Sequence, residues 1–162
     1  MTDLTYTNDA TLRRDDINPV YGKGDAANAK TITSTISLAG SASGTTVFLG
    51  RIPADARISG RSVIHHDDLA TSGSPTLDLG IGSVNSNVTS DPDGLNDGID
   101  VTSAGANVAV IKDHANYGKQ AWEFVSGQTT NPGGELDVYG SIKDAATNAA
   151  GDITCELVYT LD

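Results

Sequence analysis

The residue types best able to do chemistry gather in one acidic stretch, Asp91-Pro92-Asp93-Gly94-Leu95-Asn96-Asp97-Gly98-Ile99-Asp100. Carboxylates at this density offer the hard oxygen ligands that calcium takes, so Asp91, Asp93, Asp97 and Asp100 form a candidate metal site. The stretch does not follow the EF-hand order. The fifth, sixth and twelfth places hold Leu95, Asn96 and Thr102, where a ligand, a glycine and a glutamate are required. Acidic turns also serve solubility and turn geometry, and a solvated loop without calcium is the stronger expectation.

The other reactive groups are scattered. His65 and His66 are adjacent, and neighbours on an extended backbone point to opposite faces, so they do not chelate one ion together. Followed by Asp67 and Asp68, they read as a solvated turn, and His114 reads as a loop residue. Cys155 is the single cysteine, which excludes an intrachain disulfide and a cysteine-based zinc framework. It shares the parity of Ile153 and Leu157 and reads as a small buried hydrophobe. There is no Gly-x-Ser-x-Gly elbow and no phosphate-binding loop, and Gly80-Ile81-Gly82 lacks the third glycine of a dinucleotide motif. Asn87-Val88-Thr89 matches a glycosylation sequon by pattern, with no secretory signal beside it. The expectation is a protein that is not an enzyme and needs no cofactor.

Charge narrows the partners. The 162 residues carry 21 acidic and 10 basic side chains, a formal net charge of −11. Such a surface repels phosphate backbones, and no basic cluster exceeds Arg13-Arg14, so nucleic acid is not expected as a partner. No apolar run reaches the roughly 18 residues that span a bilayer, and the N-terminus lacks the regions of a signal peptide. A soluble product made in the host cytoplasm, with no membrane partner, is the expectation.

The elements that must position these residues read almost wholly as short strands. Residues 31–38 place Ile32, Ile36 and Leu38 on one side and hydroxyls on the other, and residues 45–52 are rich in β-formers before Pro53. Residues 57–64 form a weaker strand with a bend at Gly60. Residues 76–82 alternate Leu77, Leu79 and Ile81 against Asp78, Gly80 and Gly82, and glycines on one face admit a neighbouring backbone closely.

Residues 83–98 read as the longest polar connection, followed by short strands at 99–102 and 108–112. Residues 121–125 and 135–143 look like hairpin partners, residues 144–150 like a helical turn, and residues 153–161 are the clearest strand. Phe48, Trp122 and Phe124 are expected as large fillers of a lean aliphatic core, since aromatics are only 5% of the chain. About eight short antiparallel strands between Gly/Pro/Asn/Asp turns give an all-β class, a β-sandwich or jelly roll. Ahead of this body (residues 31–162) lies an extended N-terminal arm, residues 1–30. It carries too few apolar residues to bury much surface alone, so it needs something to lie on.

Three segments in order carry a resemblance. They are Gly44-Thr45-Thr46-Val47-Phe48-Leu49-Gly50-Arg51-Ile52-Pro53-Ala54-Asp55-Ala56-Arg57-Ile58, then Thr76-Leu77-Asp78-Leu79-Gly80-Ile81-Gly82, then the acidic stretch 91–100. Together they resemble small virion structural proteins of tailed bacteriophages, of the kind that decorate or cement the head. The resemblance spans residues 31–162 as a pattern of strands and loops and brings no catalytic residue. It implies a jelly-roll or sandwich body and a trimer or other small homo-oligomer. It further implies the major capsid protein as partner and a place in the virion, on the outer surface of the head. On that reading Leu4, Tyr6, Ile17 and Tyr21 anchor the arm to capsid or to a neighbouring subunit, helped by main-chain addition to a sheet edge. A tail or fibre module that holds a host glycan or receptor through residues 83–98 or Trp122 is the competing class.

Overall fold

The structure, a computed structural model, describes residues 29–83 and 88–161. The expected arm anchors Leu4, Tyr6, Ile17 and Tyr21 lie outside the described residues. Nine strands are present among the described residues: β1 (Ala29–Ala39), β2 (Thr46–Pro53), β3 (Arg57–Ile58), β4 (Val63–His66), β5 (Thr76–Ser83), β6 (Asp91–Asp100), β7 (Gly105–Ala109), β8 (Glu135–Lys143) and β9 (Ala150–Thr160). They form two antiparallel sheets, β1-β9-β4-β7 and β2-β8-β5-β6, with β3 also paired to β9. The all-β sandwich is therefore established.

The strand order settles which sandwich it is. β3 and β4 lie end to end along one side of β9, since Arg57 and Ile58 face Thr160 and Tyr159 while Val63 to His66 face Glu156 to Ile153. With β3 and β4 taken as one interrupted strand, pairing is nested: β1 with β9, β2 with β8, β4 with β7, and β5 with β6. A long antiparallel ribbon folded over so that its successive strand pairs alternate between sheets is a jelly roll.

The alternating strands supply the core. Leu77, Leu79 and Ile81 of β5 and Leu136, Val138 and Ile142 of β8 are fully buried against Ile64 of β4 and Ile153, Cys155 and Leu157 of β9. Burial with Glu156 beside it pushes the Cys155 thiol up to about 12, so the group stays neutral and behaves as the small hydrophobe its parity implied.

Several local expectations are corrected. Residues 91–98, read within the polar connection 83–98, join Ile99 and Asp100, read as the start of a short strand, to form β6, where pairing with β5 overrides the low strand propensity of Pro92, Gly94, Asn96 and Gly98. Residues 121–125, read as a strand, form a 3-10 turn (Ala121–Phe124) closed by Gln120 N–H donating to the Glu123 carboxylate at 2.7 Å. That turn docks by Ala121 N–H to Ala56 O and Trp122 N–H to Ala54 O, and β8 pairs with β2 and β5 instead of a hairpin partner. Residues 144–150 hold no helix, since Asp144 has φ of 59° and Ala150 already belongs to β9. His65 and His66 sit in β4, not in a solvated turn, and His66 is buried with its Nδ1 3.0 Å from Asp67 O. Both line one open cleft beside Asp67 and Asp152, where the register between β4 and β7 slips between Ile64 and His66. Of the expected large fillers, Phe124 is buried and Trp122 half-buried, but Phe48 is 54% exposed.

Candidate functional site

The outer face of the β2-β8-β5-β6 sheet is shaped by the glycines of β5. A Cβ on Gly80 would lie 2.6 Å from Pro92 Cα and closer still to Asp91 O, so the absence of a side chain lets the start of β6 fold across β5. Leu77, Leu79 and Ile81 face Ile99, Asn96 and Asp91, which makes β6 bulge twice. The bulged chain is fixed from the far side: Asn96 Nδ2 donates to Ala109 O at 2.7 Å, Lys112 N–H to Leu95 O at 2.9 Å, and Ser126 N–H to Asp91 Oδ2 at 2.7 Å.

Beside this crossing lies an open cleft of about 400 Å³ lined by Thr46, Val47, Phe48, Gly82, Ser90, Asp137 and Tyr139. Gly82 gives it depth, because a Cβ there would meet Ser90 Oγ at 2.6 Å and the Tyr139 ring at 3.2 Å. Phe48 and Tyr139 are cross-strand partners, and the register slips between Phe48 and Gly50. Arg51 lies with its guanidinium carbon 5.9 Å from the Phe48 ring centroid. It donates to Asp137 at 2.7 Å through Nε and at 3.4 Å through Nη2. Burial raises the Tyr139 phenol above its ordinary range, a hydrogen bond with Ser90 lowers it, and Asp91 and Asp93 raise it. The phenol is therefore a neutral hydrogen-bonding group at the cleft floor.

The four candidate metal ligands do not converge. Asp91 accepts from Ser126, Asp97 is 4.0 Å from Lys112, Asp100 accepts from the Thr102 N–H at 2.8 Å and hydroxyl at 2.7 Å, and Asp93 is exposed. Among the described residues no group of three or more His, Cys, Asp or Glu side chains is placed to hold a metal ion. The Thr102 bonds hold the Asp100 carboxyl below its usual range.

Asp78, on the glycine face of β5, is buried and accepts from Gly98 N–H at 2.9 Å, where Gly98 has φ of +77°. Desolvation raises its carboxyl above the ordinary value, more than the Gly98 bond lowers it. A raised carboxylate pKa means the native state holds its proton where the unfolded chain has lost it, so this group costs stability above its folded pKa and the cost fades as pH falls through it. Asp78→Asn keeps an acceptor for Gly98 and removes the charge. Its melting temperature is expected to exceed that of the parent at pH 7, with the gap closing as pH is lowered into the carboxylate range. An unchanged gap across that range would assign the difference to something other than this charge.

Sequence reasoning missed Phe48, the Arg51–Asp137 pair and Tyr139 as a surface group. A signal was present, because Val47 and Leu49 share one parity and Phe48 holds the other, which is the exposed face of β2. The pairing of β2 with β8 that brings Arg51 to Asp137 left no local trace.

No family model matches the chain, and no curated protein matches it. Among solved structures, a chain of the cyanophage Pam1 capsid asymmetric unit matches with a TM-score of 0.55 and 20% identity, covering 98% of this chain and 100% of that one. At that identity the likeness is one of fold.

Proposed function

We propose that this chain is a non-enzymatic phage capsid decoration protein that binds and stabilises the outer surface of the head as a trimer, with the major capsid protein as its partner. The observation that carries the reading is the jelly-roll strand order of this chain together with its likeness in fold, over nearly the whole chain, to a chain of a cyanophage capsid asymmetric unit. The acidic balance supports a role away from packaged nucleic acid.

The sheet edges support attachment through the arm. Among the described residues β1 pairs with β9 alone, in unbroken register from Ala29 opposite Thr160 to Ala39 opposite Ala150. The other three edges are blunted: β2 carries a bulge and ends on Pro53, β6 is bulged and acidic, and β7 has five residues, with Asn107 at φ of 56°. β1 has no bulge, no proline and one charge, Lys30. It is the edge that accepts an added strand, from the capsid protein or from residues 1–28 of a neighbouring copy, with Leu4, Tyr6, Ile17 and Tyr21 as side-chain anchors.

The test is to mix the purified protein with undecorated heads and image them. Regular density at symmetry-related points of the outer surface is the expected result, and bare heads at saturating protein would overturn the proposal.

A further inference from the structure

We propose that the cleft beside Phe48 is a binding site for a neutral saccharide, a function separate from attachment and independent of whether the partner is a capsid. Its construction joins two features that a pyranose ring needs. One wall is a flat apolar surface, the ring of Phe48, exposed on β2 although the neighbouring Val47 and Leu49 are buried. Sugar C–H groups pack on such a face because it is apolar and carries partial negative charge on its π-cloud.

The rest of the boundary sets polar side chains among Val47, Gly82 and Tyr139. Asp137, Ser90 and Thr46 line the same cleft as the Phe48 ring. The Asp137 carboxylate is oriented by Arg51, which itself does not line the cleft. A carboxylate oxygen carries lone pairs beyond those that Arg51 engages, so Asp137 still accepts from sugar hydroxyls without being turned. The floor is open because Gly82 has no side chain, and the cleft's size is within the range of small-ligand sites.

Charge selects among ligands. Asp137 is neutralised locally by Arg51 in a bond of 2.7 Å, which weakens its attraction for a cationic peptide. The net charge of −11 disfavours sialylated or sulfated glycans. A wholly apolar ligand would leave the Asp137 carboxylate desolvated and poorly matched. A neutral sugar satisfies both the ring and the acceptors.

The experiment is a titration of the isotope-labelled full chain with lactose, maltotriose, cellotriose and chitotriose, followed by backbone amide shifts. At least one sugar is expected to shift Gly82, Ser90, Asp137 and Tyr139 saturably, with a Kd on the order of 1 mM, as suits an open site. Phe48→Ala is expected to weaken that binding by about tenfold or more while Phe48→Trp retains it. Asp137→Asn is expected to weaken it while leaving the melting curve in place. Phe48 is on the surface, so its loss does not open the core, and Asp137→Asn together with Thr46→Ala reads the polar wall separately. The absence of saturable shifts at the cleft with all four sugars overturns the proposal, as does binding that Phe48→Ala and Asp137→Asn both leave intact.

Discussion

Gly80→Val is expected to destabilise the fold by about 3 kcal/mol, seen as a fall in melting temperature of roughly 6–12 °C. The reason is geometric. The first atom of any side chain at Gly80 would sit 2.6 Å from Pro92 Cα and 2.7 Å from Pro92 C, and these are backbone atoms that cannot rotate away. Either β6 lifts from β5, losing the bonds around Asn96 and the burial of Leu95 and Ile99, or β5 shifts against β8 in the centre of the sheet. A comparison with Thr33→Val separates this crowding from a general effect of branched residues, because Thr33 is on the exposed face of β1 and its change should stay within about 0.5 kcal/mol. A Gly80→Val protein that melts within about 1 kcal/mol of the parent would mean that β6 does not cross β5 as described.

Removing residues 1–28 is expected to leave the melting temperature nearly unchanged and to weaken binding to undecorated heads by at least about tenfold. Among the described residues the hydrophobic core starts at Ile32 of β1 and is supplied by both sheets, so the truncation removes none of those contacts. The loss in binding is larger than one arm contributes alone. In the trimer proposed above three arms would act together, and multivalent attachment multiplies affinity by about 10²–10⁴ relative to single contacts. Sedimentation of heads with labelled full-length and truncated protein measures the ratio. Equal binding by the two forms would remove the arm from the mechanism and shift attention to the folded surface. A truncated protein that no longer melts cooperatively would show instead that those residues complete the body.

The two predictions differ in how early the sequence announced them. The Gly80 crossing was legible in outline, because alternation of Leu77, Leu79 and Ile81 put both glycines on one face and glycine removes the obstacle to another backbone. What crosses there was not legible. Residues 91–98 carry a proline, two glycines and three carboxylates that read as a loop, and only pairing with β5, stitched down by Asn96 to Ala109 and Asp91 to Ser126, makes them part of a strand. The same logic explains residues 121–125. Trp122, Phe124 and Val125 have the composition of a strand, yet Ala121–Phe124 wind into a single 3-10 turn whose Ala121 and Trp122 N–H groups donate to the carbonyls of Ala56 and Ala54. The acidic stretch shows the limit for sites. Four carboxylates within ten residues suggest a cation site, but a bulged strand points them in different directions and gives three of them other partners.

By itself the sequence determined the class of this protein. Alternation with period two along 31–38, 76–82 and 153–161 makes strands wherever it occurs, and one cysteine on the apolar parity becomes a buried thiol, because local periodicity is a property of the chain alone. The tertiary structure decided everything that depends on who lies beside whom. Strand order, which makes the sandwich a jelly roll, puts β1 at a sheet edge among the described residues and brings Phe48 and Tyr139 together over Gly82, is fixed by contacts between residues far apart in the chain. Those contacts leave no periodic mark, since any strand with one apolar face satisfies the same local rules whichever neighbour it is given.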